Sequence, residues 1–62
     1  MSALTRTINK LGEAFEAFKE ANDQRLEQLA KGNKSAAAEI DAKIEKINSE
    51  ISQLSTLKSQ IE

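Results

Sequence analysis

Carboxylate and amide side chains are the groups in this chain that could do chemistry. There are ten Asp and Glu residues, while His, Cys, Tyr and Trp do not occur. Carboxylates act as general acids and bases when they sit in a concave, partly dry pocket, and a small helical chain builds no such pocket. The sequence also has no Gly-rich phosphate-binding loop. We therefore expect the protein not to be an enzyme, and to bind no cofactor, metal ion or small-molecule ligand.

The near-neutral charge of the chain disfavours nucleic acid and acidic membranes as partners. Nine Lys and Arg residues against ten Asp and Glu residues give a formal net charge of -1. Such a balance produces no field that would attract nucleic acid or acidic lipid. No run of apolar residues approaches the roughly eighteen needed to cross a bilayer, and the N-terminus has no signal-peptide core. We expect a soluble protein without nucleic-acid or membrane partners.

The length of 62 residues limits how stable the chain can be alone. A domain this short buries a small fraction of its surface. It has no Cys for a disulfide and no Cys or His for a structural zinc, which are the usual supports of small domains. Oligomerisation is the remaining route to stability.

The composition indicates helices that carry such an assembly surface. The chain lacks Pro, has two Gly, and is rich in Ala, Glu, Lys, Leu, Ile and Gln, so helix is favoured over most of its length. Large apolar residues recur at alternating steps of four and three, which is the pattern of a coiled-coil seam. The predicted core and self-association seam comprises Leu4, Ile8, Leu11, Phe15, Phe18, Leu26 and Leu29 in the first half and Ile40, Ile44, Ile47, Ile51, Leu54, Leu57 and Ile61 in the second.

A break near residue 32 separates the two halves, because the heptad phase slips there. Gly32 can adopt the left-handed conformation that ends a helix, with Asn33 following it, and Ser35 can cap the next helix. We predict helix 1 over about residues 2–31, a turn over 32–34 and helix 2 over about 35–60. Two helices of equal length joined by a short turn favour an all-α, antiparallel helical hairpin.

The register of this coiled coil follows from placing the a positions of one helix against the d positions of the other. That rule sets Phe15 beside Leu54 and Leu29 beside Ile40. Two helices cannot enclose a core, so we expect several hairpins to assemble into a bundle. The residues that would allow close helix approach are Ala14, Ala17 and Ala21.

Two residues in helix 1 have two interpretations each. Asn22, at an a position, either specifies the register of the coil or lies at a solvated part of a loose seam. Gly12 marks either a close helix crossing or a tolerated surface position, and the surface position is favoured.

The run from Phe15 to Gly32 resembles the N-terminal delta, or scaffolding, domain of tailed-phage major capsid proteins. In that family the first helix ends in a segment of the type F-K-x-A-N-D-x-R-L-x-x-[IL]-x-K-x-G, and residues 43–51 resemble its second helix. The positions that fit are Phe18, Lys19, Ala21, Asn22, Asp23, Arg25, Leu26, Leu29 and Gly32.

This resemblance implies a coiled-coil domain that guides capsid assembly inside the immature shell, in the cytoplasm of a bacterial host, and is dispensable afterwards. The implied partners are further copies of the chain, other capsid subunits and a prohead protease. It also implies that Asn22, Asp23 and Arg25 contact neighbouring hairpins. The shell-forming domain of that family does not occur here, so we expect the chain to be a fragment of a longer protein.

Two other functions compete with a scaffolding domain. A heterotypic adaptor, or a small regulatory or chaperone-like protein, would hide the same seam against a different protein. A structural spacer in which the turn straightens into one long helix is disfavoured by Gly32 and by the phase slip.

Overall fold

The protein folds into two helices that pack side by side as an antiparallel hairpin. A computed structural model describes residues 2–61. Helix α1 spans Ala3–Ala30 and helix α2 spans Lys34–Ile61, with a turn over residues 31–33 between them. The molecule measures 45 × 15 × 11 Å, so it is one helix thick. The expected all-α helical hairpin is therefore confirmed.

Local hydrogen bonds define where α1 begins. The Ser2 hydroxyl accepts a hydrogen bond from the Thr5 amide at 3.1 Å, which satisfies one of the free N–H groups of the first turn. The Arg6 amide donates to the carbonyl of Ser2 at 3.0 Å. Ser2 is therefore the N-cap of α1 rather than its first helical residue.

The turn ends α1 in the way that the sequence predicts. Gly32 has a φ of 77°, in the left-handed region. The Gly32 amide donates to the carbonyl of Leu29, and the Asn33 amide donates to that of Gln28 at 2.9 Å. These two bonds form a Schellman motif, which satisfies carbonyls that the helix end would otherwise leave free.

The N-cap of α2 lies two residues before the predicted one. The Asn33 side-chain oxygen accepts a hydrogen bond from the Ala36 amide at 3.2 Å, and its carbonyl accepts from Ala37. Asn33 is therefore the N-cap, and Ser35 lies inside the helix. The turn has the predicted length of three residues but lies one residue earlier, because Asn33 both completes the end of α1 and caps α2.

Small residues of α1 form the contact with α2. Thr7, Ala14 and Ala21 are buried, and their spacing of seven residues places them on one face of the helix. The Thr7 hydroxyl donates to the Ala3 carbonyl at 2.8 Å, so its burial leaves no unpaired donor. Ala37 is the buried residue of α2. The alanines were expected to allow close approach between the hairpins of a bundle; Ala14 and Ala21 instead pack against α2 of their own hairpin, whereas Ala17 is exposed.

Half-buried apolar residues border these alanines along both helices. None of the described large side chains is fully buried, because a single pair of helices covers each one from one side only. On α2 these half-buried residues recur at steps of three and four, at the positions of the predicted seam. The half-buried apolar seam residues are Leu4, Leu11 and Phe18 on α1 and Ile40, Ile44, Ile47, Ile51, Leu54 and Ile61 on α2.

The structure differs from the predicted register on α1. Ile8, Phe15 and Leu29, which were expected to face α2, are exposed. Because the turn is only three residues long, residues at equal distances from it lie at the same level, which places Ala14 within one residue of the level of Ile51. The helix is rotated so that its alanines meet the isoleucines of α2, because small residues opposite large ones let two helices approach closely.

Candidate functional site

The exposed apolar residues of α1 form one continuous band, which we call the outer stripe and define as Ile8, Phe15, Leu26 and Leu29. Phe15 is 56% exposed and Leu26 is 52% exposed. With about 100° of rotation per residue, all four lie within an arc of roughly 60°. The band is therefore a single face of α1 and not a scatter of isolated surface residues.

The outer stripe lies beside the contact with α2 and not opposite to it. On an ideal helix its centre is about 100° from the row of Thr7, Ala14 and Ala21. Leu11 and Phe18, which are half-buried, occupy the arc between the two rows. The apolar arc of α1 is thus wider than one neighbouring helix can cover, which is typical of a helix that packs against two neighbours.

The outer stripe occupies one broad face of the hairpin. Helix α2 presents polar residues beside it: Asp41, Asn48 and Ser55, all exposed, follow the seam residues of α2 on that side. The exposed Leu57 lies on the opposite broad face, because it lines a shallow hollow together with Ala3 and Lys10. The apolar character of the first face therefore comes from α1 alone.

The polar residues that were singled out in α1 have different environments. Asn22 is half-buried within the arc of the outer stripe, and Asp23 is exposed. Arg25 forms an ion pair with Asp41 of α2, and its Nε atom is shielded from solvent. Both side chains remain partly open to water, 34% for Arg25 and 56% for Asp41, so the pair contributes at most about 1 kcal/mol.

The sequence analysis did not predict the Arg25–Asp41 pair, because the predicted register set Arg25 beside Ile44. Once the turn is known to occupy three residues, Arg25 and Asp41 come to nearly the same level of the hairpin. Asp41 is also one residue from the apolar seam of α2, where side chains flank the helix contact. The predicted turn over 32–34 already carried this signal, because Arg25 and Asp41 are equally distant from it along the chain.

Other local features of the described residues do not form a chemical site. Lys31 and Glu27 pair across one helical turn, with Nζ and Oε1 3.1 Å apart, and both are exposed. Residues 2–61 contain no cluster of three or more acidic, His or Cys side chains arranged to hold a metal ion. Neither α1 nor α2 is long and apolar enough to cross a membrane.

The hairpin exposes more surface than a compact monomer of its mass. Its accessible surface is 4614 Å² for 6.8 kDa. A compact folded monomer of that mass exposes about 4,000 Å². The excess of roughly 600 Å² approaches the ~800 Å² that one partner buries in a typical protein interface. The outer stripe is the part of this surface that burial in an interface would stabilise most.

The chain was compared with models of protein families, with curated proteins and with solved structures, and none of them matches it.

Proposed function

We propose that this chain is a self-association module that drives ordered assembly through its apolar helical surfaces. The observation that carries the proposal is the outer stripe: four large apolar side chains on one face of α1 that the hairpin itself leaves in water. Burying a side chain of this size contributes on the order of 2 kcal/mol. The four side chains on each copy are about half exposed in the hairpin, so burial in an interface would recover roughly half of that value for each and favour association.

The thin core of the hairpin supports the same proposal. Among the described residues, only three alanines and one threonine are buried. Covering the half-buried residues of the seam with further helices would add stability that a two-helix layer does not reach. Folding and assembly are therefore coupled, and the hairpin gains stability as its concentration rises.

Within this class we propose the role of a scaffolding domain of a phage major capsid protein. The support is the resemblance carried by Phe18, Lys19 and the segment Ala21 to Leu26, together with the two-helix architecture that the resemblance implied. In this role the module would bring capsid subunits together in the immature shell, and it would be dispensable after assembly. Asn22 and Asp23 remain candidates for contacts between hairpins.

Native mass spectrometry of the purified chain tests the self-association. We expect species at integer multiples of the chain mass whose share increases with concentration, together with helical circular dichroism. A helical chain that stays monomeric at every concentration would contradict the proposal. A poorly helical monomer would instead favour the heterotypic adaptor, which needs a different protein to cover its seam.

The scaffolding role has a separate test. Antibodies raised against residues 3–30 can be used to probe immature shells and mature particles from cells that carry the coding sequence. We expect the epitope in immature shells and its loss from mature ones. Absence of the epitope from every particle fraction would reject the capsid role and leave the self-association proposal standing.

A further inference from the structure

We infer that the outer stripe is the contact between two copies of this chain, with α1 of one copy packed antiparallel on α1 of the other across a two-fold axis. This inference rests on the proposed function and specifies its surface and geometry. Two hairpins stacked in this way form a four-helix bundle in which the two α1 helices pack on each other along one side of the bundle.

The distribution of apolar residues selects α1 against α1. The second copy must offer an apolar face to cover Ile8, Phe15, Leu26 and Leu29. On the same broad face, α2 offers Asp41, Asn48 and Ser55. Packing the stripe on that row would bury Asn48 and Ser55 against apolar side chains that offer them no hydrogen bond, which costs free energy. A second outer stripe is the matching surface, and a two-fold axis brings the two together.

The orientation follows from symmetry. If the hairpins stack face to face with their α2 helices on the same side, the two-fold axis must run across the helices. Rotation about such an axis reverses the direction of α1, so the two α1 helices are antiparallel. A two-fold axis parallel to the helices would instead make the α1 helices parallel, but it would place the two α2 helices on opposite sides and would not form a four-helix bundle.

The charges of α1 favour the same orientation. Lys19 borders the arc of the outer stripe. A parallel contact in register would place Lys19 beside Lys19 of the second copy. An antiparallel contact that sets Phe15 against Leu26 of the second copy brings Lys19 level with Asn22 there. Keeping like charges apart at the rim of an interface favours the antiparallel orientation.

The exposed area agrees with a single second copy. The excess surface of the hairpin is roughly 600 Å², and a standard interface buries about 800 Å² on each partner. The stripe extends from Ile8 to Leu29, which is about 30 Å along the helix axis. In the register that sets Phe15 against Leu26, one antiparallel α1 helix covers Phe15, Leu26 and Leu29, and Ile8 lies about 4.5 Å beyond its end.

Phe15→Gln and Leu57→Gln form a matched pair that tests the surface. Each replaces a large, exposed apolar residue by a good helix former, on opposite broad faces of the hairpin. We expect Phe15→Gln to raise the dimer dissociation constant at least ~10-fold and Leu57→Gln to change it less than ~2-fold. The measurement is sedimentation equilibrium of each full chain.

Spin labels test the orientation without changing the outer stripe. The chain has no Cys, so Glu16→Cys and Ala30→Cys each provide one exposed labelling site. In the antiparallel pair, Glu16 lies near the two-fold axis and Ala30 far from it. We expect axial separations of about 14 Å between labels at position 16 and about 28 Å at position 30.

The outcomes separate this inference from the proposed function. Equal sensitivity to Phe15→Gln and Leu57→Gln, or equally short distances from both labels, would overturn the α1-to-α1 antiparallel contact while self-association stands. Absence of any dimer in the unsubstituted chain would overturn both. Because the labelled chains keep the outer stripe intact, their result holds even if Phe15→Gln unfolds the hairpin.

Discussion

At the scale of single residues, backbone conformation decides what each glycine contributes. Gly12 and Gly32 are both exposed, and an added Cβ atom would meet no heavy atom within 4 Å at either position. They differ in φ: Gly32 has a φ of 77°, in the left-handed region, whereas Gly12 lies in the interior of α1. Gly12 therefore lies at a surface position, which is the interpretation that the sequence favoured.

Replacing each glycine by alanine should therefore have opposite effects. Gly12→Ala should stabilise the protein by about 1 kcal/mol, because alanine loses less backbone entropy in a helix. Gly32→Ala should destabilise it by about 1–2 kcal/mol, because a Cβ atom disfavours the left-handed conformation. Urea denaturation followed by circular dichroism at one fixed protein concentration measures both. Changes of the same sign would contradict this explanation.

At the scale of the helices, caps and small residues set the geometry. Asn33 caps α2 directly after the Schellman motif that ends α1. The turn therefore needs only three residues, and its length fixes which residues of the two helices lie level with each other. Rotation of α1 then follows from packing, because Ala14 and Ala21 let the helices approach more closely than Ile8 and Phe15 would.

The cap assignment predicts unequal effects of two neighbouring substitutions. Asn33→Ala should destabilise the hairpin by about 1 kcal/mol, because the Ala36 amide loses its hydrogen-bond acceptor. Ser35→Ala should have little effect or stabilise slightly, since alanine is the better helix former and Ser35 lies inside α2. Thermal denaturation of both variants gives the comparison. A larger loss for Ser35→Ala would restore Ser35 as the cap.

The close approach of the helices predicts a second unequal pair. Ala21 is 3% exposed, so Ala21→Leu must push the helices apart and should destabilise by about 1–3 kcal/mol. Ala17→Leu, four residues earlier on the same helix, adds the same atoms at an exposed position and should be nearly neutral. Chemical denaturation compares them. Tolerance of leucine at position 21 would show that the helices are not held together through that face.

The sequence predicted the two helices, the break at Gly32 and the seam of α2, because heptad spacing and turn chemistry are local signals. It did not predict the rotation of α1. Two faces of α1 could contact α2, and both include the half-buried row Leu4, Leu11 and Phe18. One face adds Ile8 and Phe15, and the other adds Ala14 and Ala21. Counting large apolar residues favours the face with Ile8 and Phe15. Which face is buried depends on how closely α2 approaches, and that distance is a property of the packed pair of helices.

At the scale of the whole molecule, the hairpin is a thin layer with an apolar band on one face. Its thickness of 11 Å is that of a single helix, and four large apolar residues of α1 remain exposed. In the proposed dimer a second copy covers that band and doubles the thickness of the layer. The rotation of α1, which exposes Ile8 and Phe15, is thereby linked to the proposed self-association.

Sedimentation equilibrium over a wide concentration range, combined with circular dichroism on the same samples, tests self-association most directly. The account predicts a helical species whose average mass increases with concentration, from the 6.8 kDa of one chain towards twice that value or more. A constant mass of one chain over the whole range, whether helical or not, would contradict it.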